Sequence, residues 1–437
     1  MTGRPPDAAP DGWAAPGDAD TAAANSTDAK ASPAPAATAS AIPAPAEPKL
    51  PPFALLIALT TLGPTSANMF VPSIPSVQQA MATSYATAQL TLTVFLGCFA
   101  LALLAYGPLS DRYGRRNVLL ISIGIYVVGS VLCMVAPTVE TLIMGRGVQA
   151  AGGCAGFSLS RAMVRDVHRE RSAKVIAYLS MAMALGPMVA PAFGGYLDVW
   201  FGWRAPFWAM TAAGAVLLVA AWFHLNETRP GTPRAGMVAD LLNSFARLLS
   251  MRRYLGYTLQ IAATSSMFFA FVGAMPLVMV AYFGRPTSDY GLYFMMMPTM
   301  FMTGSFIAGR CAGTIGTDTM IRIGSALVLL GASVMVFIAA EPWVQPVHLF
   351  AAAATVTLGT GITQANSLAG AVGVDARIAG AAAGRAGSLQ TATNAFSSLL
   401  VGFLVSGPPA PMAWLMLVGA VLGIVVHTAG TWRGRAG

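Results

Sequence analysis

Twelve apolar runs, each close to the length of a membrane-crossing helix and parted by short polar breaks, govern what this chain can fold into. A helix rises about 1.5 Å per residue, so about 20 apolar residues cross a hydrocarbon core about 30 Å thick. The runs fall at 53–75, 88–109, 118–136, 139–160, 174–196 and 203–224, then at 255–276, 289–309, 320–340, 347–369, 379–406 and 411–430. Lipid offers no partner to backbone N–H and C=O groups, so segments of this length must be helices. The expected fold class is therefore an all-α membrane protein with twelve transmembrane helices. Composition agrees, because only 10% of the residues are charged and 56% are hydrophobic, where a soluble domain carries about 25% charged residues.

Six runs, a longer polar stretch and six more runs divide the chain into an N-terminal bundle over 53–224, a linker over 225–254 and a C-terminal bundle over 255–430. Such symmetry suggests duplication. Residues 1–50 are rich in Ala, Pro, Asp, Ser and Thr, lack apolar periodicity and are expected to be disordered. Pro5, Pro6, Asp7 and Asp11 stand where the apolar stretch of a signal peptide would be, so the tail is expected to stay on the mature protein. Within the linker, Val238, Leu241, Leu242, Phe245, Leu248 and Leu249 share a helical face over Met237–Leu249, which suits the membrane surface. Residues 431–437 form the C-terminus. With both termini inside, Arg204 and Arg285 fall outside and Arg146 within a span, leaving the other 22 of the 25 Lys and Arg on the cytoplasmic side. That asymmetry supports both count and orientation.

Other functional classes find little support. The net charge of +8 is confined to short gaps between apolar runs, which speaks against nucleic-acid binding. Cys98, Cys133, Cys154 and Cys311 lie in or beside apolar runs without metal or disulfide spacing. His168, His224, His348 and His427 sit near span ends without partner spacing, and no metal site is expected. The chain has no HExxH, GxSxG or phosphate-binding loop, so neither an embedded enzyme nor direct drive by ATP is expected.

Three stretches carry more information. The loop between spans 2 and 3 reads Gly107-Pro108-Leu109-Ser110-Asp111-Arg112-Tyr113-Gly114-Arg115-Arg116, with glycines for a tight reversal and charges that can bridge helix ends. Span 4 places Arg146, Gln149, Gly153 and Gly156 on one helix face. A charge at mid-membrane costs about 2.5–3.5 kcal/mol on insertion scales, so it is seldom idle. Span 5 reads Gly186-Pro187-Met188-Val189-Ala190-Pro191-Ala192-Phe193-Gly194-Gly195, a small-residue stripe with two prolines, suited to close helix contact and bending.

The decapeptide loop resembles the signature of the major facilitator superfamily, and the span 5 stretch resembles the antiporter motif of its exporters. Span 4 resembles their RxxQG pattern, with Ala150 in place of the glycine. Ser66 to Pro75, Gln89 to Phe95, Arg161 to Asp166, Gly202-Trp203-Arg204 and Asn226-Glu227-Thr228 are similar to the bicyclomycin and chloramphenicol resistance (Bcr/CflA) branch of drug:proton antiporters. The likeness is dense over residues 53–230 and thinner beyond, where Gln364-Ala365-Asn366 and Gly384 to Gln390 match best. This resemblance implies the major facilitator fold, two six-helix bundles around a central cavity. It implies alternating access in a bacterial inner membrane, a small amphipathic substrate, a monomer, and the proton gradient as energy source with no cofactor.

On this reading Asn68, Arg146, Gln149, Asn366, Gln390 and Asn394 line the cavity. Gly107, Asp111, Arg112, Gly114, Arg115 and Arg116 form the cytoplasmic gate loop, and Gly186, Pro187, Pro191, Gly194 and Gly195 control closure. One departure bears on coupling. The branch usually has Asp in span 1 where this chain has Asn68, and no acidic residue lies in the middle of a span. The remaining coupling candidates are Asp166, Asp111 and Glu140. A transporter of a single metabolite on the same fold, with no or different ion coupling, is the alternative that Asn68 keeps open.

Overall fold

The computed structural model describes residues 51–167, 172–228, 251–311, 314–374 and 379–431. The expected N-terminal tail, the surface helix over Met237–Leu249 and the extreme C-terminus lie outside the described residues. All regular elements among the described residues are helices. The first crossing is α1 (Phe53–Phe70), a 3₁₀ turn (Val71–Ser73) and α2 (Ile74–Ala80). Next come α3 (Tyr85–Tyr113), α4 (Arg115–Met134), α5 (Val139–Val167), α6 (Ser172–Phe201) and α7 (Ala205–His224). The second half holds α8 (Arg252–Leu277) with a π turn (Val278–Tyr282), then α9 (Thr287–Phe294) and α10 (Met296–Cys311). It ends with α11 (Thr317–Ala339), α12 (Pro346–Gly373), α13 (Ala379–Leu404) and α14 (Ala410–Thr431).

These segments make twelve crossings in two sets of six. Nine are apolar enough to span a membrane by composition alone among the described residues; α5, α6 and α13 complete the set. Helix α5 is the least apolar because Arg146, Gln149 and several glycines face protein, not lipid. Leu101, Val216, Phe306 and Phe403, each at least 70% exposed, form the surface that lipid would cover. Exposed Trp200, Trp343 and Trp414 at one end and Trp222 at the other suit the two membrane interfaces.

Two crossings depart from the expected spans for reasons written in their prolines. The first run, expected to end at 75, continues to Ala80, because Pro72 and Pro75 occupy first-turn positions that need no N–H donor. The eighth, expected as one helix over 289–309, breaks at Met295. Pro298 lacks the N–H that would bond the carbonyl four residues back, at Phe294, and the chain restarts as α10.

The halves meet at one end. Among the described residues, the side-chain hydrogen bonds between them are Tyr85 Oη to the Gly273 carbonyl, Gln89 to Ser398 (2.9 Å), Thr93 to Ser398 (3.1 Å) and Thr287 to Asp198 (3.1 Å). All lie at the end holding Ala80 and Phe201. From Ala86 to Gly107 helix α3 runs about 31 Å. Near its start, a side chain on Gly402 would meet the Ala86 backbone at 3.1 Å. Toward the other end, a Cβ on Gly107, Gly384 or Gly387 would meet open space. Among the described residues the two halves are thus tied by side-chain hydrogen bonds at the Asp198 end, and no such bond joins them toward the Arg115 end.

Candidate functional site

Arg146 is fully buried in the first half. Its guanidinium carbon lies 4.1 Å from the ring centroid of Phe95, 4.9 Å from Phe70 and 5.9 Å from Phe207. Helices α3, α1 and α7 supply these rings around α5. Nη1 donates to Gln149 Oε1, and Gln149 Nε2 donates to Ser130 Oγ at 2.8 Å. Ser130 is also tied to the Tyr126 carbonyl, and the Tyr126 hydroxyl meets Ser66 Oγ at 2.6 Å. Helices α5, α4 and α1 therefore share one polar chain that ends on the cation. The guanidinium Nε and Nη2 are buried without a hydrogen-bond partner. Aromatic faces, not a carboxylate, compensate the charge.

The rest of the expected cavity set is spread out. Asn68 is buried and donates from Nδ2 to the Pro64 carbonyl at 2.8 Å, while its Oδ1 has no hydrogen-bond partner. Gln390 donates to Ser265 at 3.0 Å inside the second half, Asn394 is buried with an unpartnered Oδ1, and Asn366 bonds the Ile362 carbonyl of its own helix. Among the described residues no hydrogen bond joins any of these to Arg146. Gly153 and Gly156, on the Arg146 face, pack against Gly63 and Leu59 of α1.

The Arg115 end is held by charge. Arg115 pairs with Asp111 at 2.8 Å and with Asp166 at 3.2 Å, and it also donates to Ser110 Oγ. Arg112 lies over the Tyr113 ring at 5.2 Å. Gly107 faces open space on α3, whereas Gly114 has φ +88° and forms the reversal between α3 and α4. Glu227, which sequence reasoning did not single out for this loop, accepts the Arg115 and Arg116 amides at 2.8 and 3.1 Å and so caps α4. Arg116 reaches the Leu225 and Trp222 carbonyls. These contacts tie α3, α4, α5 and α7 together within the first half. Of the three coupling candidates, Asp111 and Asp166 share Arg115, and Glu140 stands exposed in the first turn of α5.

The α6 stripe packs on α1 and reaches the seam. A Cβ on Gly186 would meet Thr65 Oγ1 at 2.5 Å, and one on Gly194 would overlap the Met69 carbonyl. Gly195, one residue on, faces the second half, where a Cβ would meet the Thr287 carbonyl at 2.8 Å. Gly291 of α9 fits against Pro191 and Ala192 with no room for a side chain. Three residues past Gly195 lies Asp198, which sequence reasoning placed outside the spans and gave no role. It is buried at the seam and accepts Ser76 Oγ at 2.7 Å and Thr287 Oγ1 at 3.1 Å. Its distance from the motif was legible; its partner half was not.

Comparison with known proteins follows the same lines. The sequence profile described as Major Facilitator Superfamily matches residues 56–401. An uncharacterized MFS-type transporter of Bacillus subtilis, YdgK, is 30% identical over 376 residues, covering 84% of this chain and 92% of the relative. A chloramphenicol resistance protein of Pseudomonas aeruginosa is 31% identical over 325 residues, 73% of this chain and 74% of the relative. A bicyclomycin resistance protein homolog of Haemophilus influenzae is 26% identical over 377 residues, 84% and 93%. In fold, the chain is similar to a bacterial homolog of the human lysosomal transporter Spinster, with TM-score 0.69 and 14% identity over 88% of this chain and 97% of that one.

Proposed function

Because the chain belongs to the major facilitator superfamily and is a membrane transporter, not an enzyme, we propose that it exports small amphipathic compounds by alternating access, coupled to the proton gradient. The observation that carries this reading is the asymmetry of the ties between the two halves among the described residues, joined across the α6–α9 seam and without a side-chain hydrogen bond between them at the Arg115 end. A transporter needs such a state and its mirror. The resistance proteins among its relatives support drugs as the substrate class. Arg146 in its aromatic cage, with Gln149 and Asn68, orders the interior of the first half. Asn366, Gln390 and Asn394 contribute the polar positions of the second. The working unit is a monomer in a bacterial inner membrane, termini in the cytoplasm, with no cofactor and no nucleic-acid partner.

The test is accumulation of a dye and several antibiotics, chloramphenicol among them, in efflux-deficient bacteria with and without this protein. Lower accumulation that a protonophore reverses supports the reading. No change for any compound, with the protein shown to be in the membrane, would overturn it and favour transport of a single metabolite, for which Asn68 in place of a carboxylate is the specific observation.

A further inference from the structure

We infer that Asp198 is a protonatable latch, and that a proton bound to it at the closed seam biases the two halves toward the state sealed at that end. This goes beyond export itself, and it gives a role to a carboxylate that the mechanism above does not use.

The geometry is specific. Asp198 lies at the far end of α6, two residues past the expected span 174–196, with Ser76 of α2 and Thr287 of α9 both donating to Oδ2. One donor belongs to the first half and the other to the second. The other oxygen, Oδ1, is buried with no hydrogen-bond partner, and so is the Ser73 hydroxyl. Asp198 is among the residues that line an open cleft, with Pro75, Ser76, Gln79, Arg285 and Thr287. Charged groups on the facing elements are engaged elsewhere. Arg285 and Asp289 pair with each other at 3.8 Å, and Arg204, on the turn after α6, donates to the Ala136 carbonyl at 2.9 Å. From α2 and the 3₁₀ turn the facing groups are neutral: Ser73, Ser76 and Gln79.

Opening this end must part α6 from α9, because Gly195 and Gly291 are packed against backbone there. Water would then reach both carboxylate oxygens. In the closed seam the ionised group keeps two hydroxyl donors but leaves Oδ1 desolvated with nothing in exchange, and that is unfavourable. Protonation removes the charge and with it most of this penalty. A proton therefore binds the closed seam more tightly than the open one, and by linkage protons stabilise closure. This stabilisation is full at low pH, where the carboxyl carries its proton, and is lost as rising pH ionises it in the closed seam.

Spin labels on Ala80→Cys and Ala281→Cys, with Cys98, Cys133, Cys154 and Cys311 replaced by alanine or serine, report the distance across this end. The purified full chain is measured in nanodiscs from pH 4 to pH 9 by double electron–electron resonance, with no substrate. In the parent protein the short-distance population is expected to fall with rising pH along a one-proton curve. Asp198→Asn, a neutral isostere, is expected to keep the short distance at every pH. Thr287→Val, which removes a donor to the charged form, is expected to move the midpoint to higher pH. An equal pH response in monodisperse Asp198→Asn, or none in the parent protein, overturns the latch. Because no substrate is involved, the result is independent of whether export is found.

Discussion

The guanidinium carbon of Arg146 lies 4.1 Å from the ring centroid of Phe95, in a cage that Phe70 and Phe207 complete. Desolvated contacts of this kind contribute about 2 kcal/mol each, yet a buried cation without a carboxylate is a poor way to gain stability. Replacing a buried charge by a well-packed apolar group is often neutral or stabilising. Arg146→Met is therefore expected to keep or raise the thermal midpoint of the purified protein while lowering export at least about tenfold, the equivalent of about 1.4 kcal/mol. Arg146→Ala should likewise insert in the membrane and lose export. Retained efflux in either variant, at equal membrane abundance, removes Arg146 from the mechanism.

Asn68 is buried in α1 with its amide nitrogen on the Pro64 carbonyl and its oxygen unpartnered. Aspartate fits the same volume but cannot make that donation when ionised, and it adds the carboxyl group that the middle of no expected span holds. Asn68→Asp is expected to create, or to steepen, the pH dependence of transport. The check is initial efflux rate at fixed membrane potential from pH 6 to pH 8. A profile identical to that of the parent protein would show that position 68 is not where coupling was lost.

What was legible in the sequence divides by the range of the interaction. The crossings were readable because an apolar run of fixed length has one solution in lipid. The pairing of Arg146 with Gln149 was readable because three residues along one helix share a face. The breaks at Pro72 and at Pro298 needed only local chemistry, but the apolar count smoothed over them. Asp198 and Glu227 were passed over because each acts across more than 88 residues of sequence: Asp198 meets Thr287, and Glu227 meets Arg115. Helical spacing says which residues share a face. It does not say which neighbour that face meets, and the seam and the cap of α4 both depend on that.

Glu227 closes the first half from outside the loop it stabilises. Its two oxygens take two of the free amides at the start of α4, and a negative charge there also suits the helix dipole. Glu227→Ala is expected to destabilise the protein by about 1–2 kcal/mol, and Glu227→Gln by less, since one acceptor remains. Gly114→Ala should be at least as damaging, because its φ of +88° disfavours a side chain and a Cβ would stand 2.5 Å from Glu227 Oε2. Thermal unfolding followed by tryptophan fluorescence orders the three variants. An unchanged midpoint in Glu227→Ala would mean that water replaces the cap without loss.

Gly291 sets how closely α9 approaches α6. A Cβ there would overlap Ala192 and the Pro191 carbonyl, both backbone positions on a helix already pressed against α1 at Gly194. Neither side can yield by rotating a side chain, so Gly291→Val must move the helices apart. The displacement falls beside Thr287 and Asp198, where the second half is tied to the first, and it should favour the state open at this end. The parent protein with Ser288→Cys, a position buried in α9 beside the seam, is expected to react slowly with a membrane-impermeant maleimide. Adding Gly291→Val should raise that rate at least about tenfold and depress export, because a transporter held in one state cannot complete a cycle. The same valine placed at Gly309, where a Cβ meets open space, should change neither. If Gly291→Val leaves both labelling and efflux unaltered, the α6–α9 contact is not the closure that separates the two states.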